Sequence, residues 1–277
     1  MKSLLTLTLA LFGAAGLSDA ASAGCGKQSP GNGVKNMNVN GKNRQYILQL
    51  PNNYQNNKPH KLVFGYHWLS GSMNNVAQGR FYGLQDLAGD STIFIAPNGL
   101  NAGWANQGGE DIKFTDQMLA FAKNNLCIDE KQVFATGFSY GGAMSHSVAC
   151  ARPNDFTAVA VIAGALLSGC DGGNTPVSYL HIHGSADNVL PIQRGRELRD
   201  KWIRTNGCQQ KNAQDPSPGQ QRHIKTTYTC SRKPVTWISH GGGHVGDPTG
   251  NNGQKFAPGE TWSFFNAAAG KSAKLRC

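Results

Sequence analysis

Ser139 stands in "ATGFSYGGA" (residues 135–143), an apolar run that meets three glycines, Gly137, Gly141 and Gly142. A serine hydroxyl is a weak nucleophile until a histidine takes its proton and a carboxylate orients that histidine. G-x-S-x-G is the pattern of a strand that turns abruptly into a helix and lifts the serine to the apex, with glycines where side chains would obstruct the turn. The same turn aims the Tyr140 amide, at the start of the helix, toward an oxyanion formed on a bound acyl group. A glycine-rich turn with an idle serine is the alternative, so the partners must decide.

A carboxylate and a histidine follow in suitable places. Asp187 closes "VSYLHIHGSAD" (177–187), just beyond a strand, where sites assemble in open α/β sheets; the competing role is a cap for the helix beginning near Pro191. His244 sits in "VTWISHGGGHVGDP" (235–248), in a triple-glycine loop after a strand, from which a ring can reach both serine and carboxylate. His240, directly after that strand, is the rival base, better suited to supporting the loop. His181 and His183 alternate by two and share one strand face. With no third ligand at a sensible spacing they read as core or rim histidines, and neither a metal nor another cofactor is expected.

These residues need a scaffold that brings strand ends together. "RQYILQLP", "HKLVFGYHW" (60–68), "STIFIAPNG" (91–99), "KQVFATGF" (131–138), "FTAVAVIAGA" (156–165), the Asp187 segment and the His244 segment read as strands. "EDIKFTDQMLAFAKNNL" (110–126) carries its apolar residues near a helical face, with Glu110 and Asp111 at the end the helix dipole favours. "SYGGAMSHSVACARP" (139–153) reads as a helix ended by Pro153. Strands alternating with helices predict a mostly parallel sheet flanked by helices, and the order Ser139, Asp187, His244 is that of the α/β-hydrolase fold.

The first 23 residues have the form of a secretory signal: Lys2, an apolar run of 14 residues ("LLTLTLALFGAAGL") and "ASA" at 21–23 as cleavage site, leaving 24–277 as a single catalytic domain. The run is short of the ~20 residues needed to span a bilayer, so no membrane association is expected. Lys and Arg number 26 against 16 Asp and Glu, a formal charge of +10, but the basic residues are scattered. A cationic surface, without nucleic acid as partner, is the expectation. Seven cysteines in a secreted chain predict three disulfides and one odd thiol. Cys208 and Cys230, bracketing a polar Pro/Gly-bearing excursion, are the expected pair, and Cys277 on the polar tail is the odd one. No C-x-x-C or C-x-x-H spacing points to a metal.

"GWANQGGEDIKFTDQML", "CIDEKQVFATGFSYGGAMS", "HIHGSADNVLP" and "ISHGGGHVGDP" together resemble the secreted fungal feruloyl esterases, relatives of the polyhydroxybutyrate depolymerase and acetylxylan esterase group. The likeness runs from about Cys25 to Gly270. It implies a cofactor-free monomeric serine esterase acting on feruloyl or related hydroxycinnamoyl esters of plant cell-wall arabinoxylan, with Ser139, Asp187 and His244 at the triad positions. "YHWLSGS" (66–72) resembles the family's oxyanion loop, which implies a second amide near Leu69, although Trp68 follows His67 where the relatives more often carry glycine. Trp104 in "NAGWANQGG" is the candidate wall of the phenolic pocket, with a structural plug as the competing role. Acetylxylan esterase or polyester depolymerase activity would use the same triad, and a binding protein without activity would have no need of it.

Overall fold

A computed structural model describes residues 20–274. In chain order the elements are β1 (Gly33–Val39), β2 (Lys42–Gln49), β3 (His60–Tyr66), α1 (Met73–Gln78), α2 (Leu84–Ala88), β4 (Thr92–Pro97), α3 (Glu110–Asn125), β5 (Ile128–Phe138), α4 (Tyr140–Ala151), β6 (Ala158–Ile162), β7 (Ser178–Gly184), α5 (Ile192–Thr205), β8 (His223–Thr227), β9 (Val235–His240) and α6 (Ala257–Lys274). The sheet runs β1-β2-β4-β3-β5-β6-β7-β9-β8. Six neighbouring strands, β4 through β9 in that order, are parallel, and β1, β2 and β8 add antiparallel edges. This is the α/β-hydrolase architecture expected from the sequence.

The inner strands are buried along almost their whole length because helices cover both faces. Alternation then sorts their side chains. Leu62, Phe64, Val133, Ala135, Val159, Val161, Tyr179 and Trp237 pack with Phe114, Met118, Val148 and Trp202 from α3, α4 and α5. Val63, Phe134, Ala160, Ile162, Ile182 and Ile238 pack with Val76, Leu84, Phe265 and Ala268 from α1, α2 and α6. The sequence reading left out β1, β8 and α6, which close the edges and the second face.

The chain leaves β3 for β4 on one side and returns to β5 on the other, so the strand order reverses between β3 and β5. The register there sets Tyr66 beside Gly137, which brings the loop after β3 and the turn after β5 together at the carboxyl edge.

Three disulfides join Cys25 to Cys127, Cys150 to Cys170 and Cys208 to Cys230, the last as expected. Cys277, and the expected leader up to residue 19, lie outside the described residues. Residues 21–23, which the cleavage motif assigns to the leader, are built into the fold: Ser22 is buried, its hydroxyl donates to Leu126 O (2.6 Å) and accepts from Ile128 N (3.0 Å), and Ala21 bridges Asp129.

Candidate functional site

Ser139 is the single residue between β5 and α4. Its φ of 56° and ψ of −117° lie where side chains are rarely tolerated. The turn is held by Ser139 N donating to Ile162 O (2.9 Å) and Ala143 N donating to Ser139 O (3.0 Å). The flanking glycines are steric necessities. A Cβ on Gly141 would stand 2.0 Å from the Tyr66 carbonyl oxygen, and one on Gly137 would stand 2.4 Å from the Gly141 backbone. The start of α4 thus lies directly on the ends of β3 and β5.

Pairing of Gly184 with His240 sets the loops after β7 and β9 side by side. One carries Asp187 and the other His244. His244 Nε2 lies 2.9 Å from Ser139 Oγ, and its Nδ1 lies 2.7 Å from Asp187 Oδ2. Asp187 Oδ1 accepts the amides of Val189 (2.9 Å) and Leu190 (2.8 Å). Burial alone would raise the carboxyl's pKa, but hydrogen bonds from His183, His244 and Leu190 outweigh it and hold the group at about 2. Asp187 is therefore an anion at any pH where esters are enzymatically cleaved. The arrangement couples a hydroxyl to a base and the base to a fixed negative charge.

His240 does not reach the serine. It is buried, its Nδ1 accepts from Gly242 N at 3.1 Å, and its pKa is lowered to about 4, chiefly by burial. His181 and His183 face each other with Nε2 and Nδ1 at 3.0 Å, which engages the nitrogens a metal would need. His146, Cys150 and Cys170 also cluster, but both sulfurs are spent in a disulfide.

The loop after β3 wraps over the serine. His67 Nδ1 donates to Trp68 O (2.7 Å), its Nε2 accepts from Gly99 N (2.9 Å), and its carbonyl accepts from Trp104 Nε1 (2.7 Å). The Leu69 and Tyr140 side chains meet over Gly103, where an added Cβ would touch both. Among the described residues neither the Leu69 nor the Tyr140 amide has a hydrogen-bond acceptor, so both donors are free for a ligand.

Trp104 departs from the expectation. It is wholly buried and packs edge-on against Tyr66, 5.2 Å between ring centres. It fixes the loop from behind and offers no face to a ligand. The cause is distant in sequence: the buried Arg44–Asp111 pair (2.7 Å) and Asn106, whose amide donates to Asp111 Oδ2 (2.9 Å), pull residues 98–106 inward. The aromatic walls beside the serine are instead Trp68, Tyr82 and Phe138. With Pro258 they line a groove of about 820 Å³ rimmed by Arg80, Asp86, Asp247 and Lys255. Phe138 adjoins Ser139 in the chain and lies 4.7 Å from the His244 ring. Tyr82 lies in a left-handed run, Arg80 (φ 53°), Phe81 (53°), Tyr82 (60°) and Gly83 (72°), and donates to Tyr66 O at 2.6 Å. No local pattern in the sequence announces such a turn.

A family model described as "Phospholipase/Carboxylesterase" matches residues 110–226. "Probable feruloyl esterase C" of Aspergillus terreus is 48% identical over 254 residues, covering 90% of this chain and 92% of its own. "Feruloyl esterase C" of Emericella nidulans is 46% identical over 274 residues, covering 97% and 100%. Among solved structures, an acetyl xylan esterase from Aspergillus awamori superposes with a TM-score of 0.59 at 16% identity, over 84% of this chain and 98% of that one. A ferulic acid esterase from Anaeromyces mucronatus in complex with ferulic acid superposes with a TM-score of 0.56 at 14% identity, over 88% and 91%. At such identities the solved structures speak for the fold, whereas the long, even matches to the two fungal esterases carry the family, and the chain belongs to the feruloyl esterases.

Proposed function

We propose that the protein is a secreted serine esterase that hydrolyses feruloyl and related hydroxycinnamoyl esters of plant cell-wall arabinoxylan, with Ser139 as nucleophile, His244 as base and Asp187 as its orienter. The observation that carries this reading is the single His244 ring hydrogen-bonded to both Ser139 and Asp187. His244 Nε2 takes the Ser139 proton as Oγ attacks the ester carbonyl, and the Tyr140 and Leu69 amides receive the oxyanion. The proton passes to the sugar oxygen, which leaves with the alcohol. Water, deprotonated by the same ring, attacks the feruloyl-serine and releases ferulate.

The aromatic groove supports the phenolic substrate over an acetate. At about 820 Å³ it falls within the ~300–1,000 Å³ of small-ligand pockets, and Phe138, which adjoins Ser139 in the chain, puts an aromatic wall where a phenolic acyl group would extend. Three disulfides fit a life outside the cell, and among the described residues no helix is long and apolar enough to cross a membrane. The burial of Ser22 supports a leader removed before Ala21. The test compares kcat/KM for methyl ferulate and a phenyl or xylan acetate, together with mass mapping of a serine-directed phosphonate. Ferulate should be preferred and Ser139 labelled; a preference for acetate would replace the substrate, and an unlabelled Ser139 would remove the mechanism.

A further inference from the structure

A file of buried polar side chains leads to Asp187, whose Oδ2 faces both His183 and His244. His183 Nε2 lies 2.8 Å from Leu190 O and 3.3 Å from Asp187 Oδ2. A carbonyl only accepts, so Nε2 carries a proton, and in the neutral ring Nδ1 is bare. The bare Nδ1 faces His181 Nε2 at 3.0 Å, which must then be the donor. That leaves His181 Nδ1 bare, and the Tyr179 hydroxyl meets it at 3.4 Å while also lying 3.0 Å from His146 Nδ1. His146, Tyr179, His181 and His183 are all fully buried. Trp202 Nε1 also donates to His146 Nδ1 at 3.3 Å, so the one Tyr179 O–H is free to serve His181.

The file ends in a closed ring. Leu190 O accepts from His183, Leu190 N donates to Asp187 Oδ1, and Asp187 Oδ2 faces the same His183 nitrogen. The helix beside it is shaped to leave the pair undisturbed: a Cβ on Gly195 of α5 would stand 2.4 Å from His183 Nδ1 and 2.9 Å from His181 Nε2. Helix interiors disfavour glycine, so its place here follows from the histidines.

Resting on the triad assignment above, we propose that His183 is a positioning residue of the reaction: its Nε2–H holds the Leu190 carbonyl, whose own amide binds Asp187 Oδ1, and its ring stands 3.3 Å from Asp187 Oδ2, so that it clamps the carboxylate that orients His244. The other titratable or charged groups around the file are His181 and Asp187 on its own segment, His244, which shares Asp187 Oδ2, His240 on β9, which acts on it through space, and Arg199 on α5, which acts on His181. Without the clamp Asp187 keeps its charge but has fewer donors, which makes it more basic.

The variants His183→Leu and His183→Gln, the second retaining a donor near the Nε2 position, are compared on methyl ferulate with the parent and with Ser139→Ala. For His183→Leu, kcat should fall by about 10-fold or more with KM changed little, because orientation of the histidine matters to the transition state and hardly to ground-state binding. The acid limb of its kcat/KM profile should move, and His183→Gln should restore most of both. Parental kcat in His183→Leu, or an equal loss in both variants, would overturn the proposal. If His183→Leu does not fold, His181→Leu and Gly195→Ala replace it: a lowered kcat with intact near-ultraviolet dichroism supports the clamp, and parental kcat in both defeats it. Activity surviving in Ser139→Ala would instead strike the triad on which the clamp depends, so the two failures are separable.

Discussion

His244 Nε2 lies 2.9 Å from Ser139 Oγ across 105 residues of intervening chain. Contact between a base and a hydroxyl so far apart in sequence is made by the parallel register of β5, β6, β7 and β9, which stacks four strand ends at one edge. Ser139→Ala should therefore lower kcat by ~10⁴-fold or more while the melting temperature stays near the parent's. His244→Ala should behave alike and His240→Ala should not. A Ser139→Ala protein keeping a tenth of the activity would exclude the serine from the mechanism.

Trp68 and Trp104 divide two roles. Trp68 lines the groove, so Trp68→Ala should raise KM for methyl ferulate roughly 5- to 30-fold, the equivalent of about 1–2 kcal/mol of apolar contact, and affect acetate esters less. Trp104 is a buried plug, so Trp104→Ala should cost about 3–5 kcal/mol of stability in denaturant titration. The reverse pattern, stability lost at 68 and KM raised at 104, would exchange the two assignments.

Stability should decline on the acid side of neutrality. Burial holds His146 at about 3 and His240 at about 4, whereas in the unfolded chain both protonate near 6.5. Below that pH the unfolded state binds more protons than the native one, so their contribution is complete above 6.5 and is lost as pH falls toward 4 and then 3. Asp187, depressed to about 2, adds a term complete above its unfolded pKa of 3.8 and lost as pH falls through 2. Thermal melts from pH 7 to 4 should show a falling midpoint, less steep in His240→Gln. A flat profile would mean that these rings are not held neutral.

Cys208–Cys230 closes a loop of 22 residues between α5 and β9. Replacing both cysteines by alanine should cost ~2–4 kcal/mol by the loop-closure argument, with kcat unchanged, since neither residue approaches the triad. Unchanged denaturation midpoints would show that the loop is held by its other bonds.

Edman sequencing of the exported protein should begin upstream of Ser22. A chain beginning at Gly24 would have lost the Ser22 bonds to Leu126 and Ile128, and should then melt lower than one carrying residues 21–23.

The strands around the site were legible because their apolar runs end in local signals, Gly137-x-Ser139 and the triple glycine before His244. What the sequence did not disclose depends on distant partners. Trp104 is a plug because Arg44, far away on β2, meets Asp111. β8, reading "HIKTT", has an edge strand's polarity and no apolar run to betray it. "ASA" at 21–23 satisfies a protease's preference for small residues, but the pairing of Ser22 with Ile128 lies more than a hundred residues off. The His181–His183 pair showed its shared face in the alternation, yet its link to Asp187 needed the Leu190 carbonyl in place.

The nucleophile turn and the groove beside it differ in how much variation they admit. Around Ser139 the backbones of β3, β5 and α4 leave no space even for a methyl group at 137 or 141. The groove wall is different: Trp68 reaches it as a side chain from the loop after β3 and Leu87 from the short helix α2, and the left-handed residues 80–82 spend conformational energy to shape it, ~1–2 kcal/mol each. Substitutions that reshape the groove are therefore better tolerated between residues 68 and 87, where relaxing the turn gives back free energy that offsets a poor fit, than at Gly137 and Gly141, where no side chain fits.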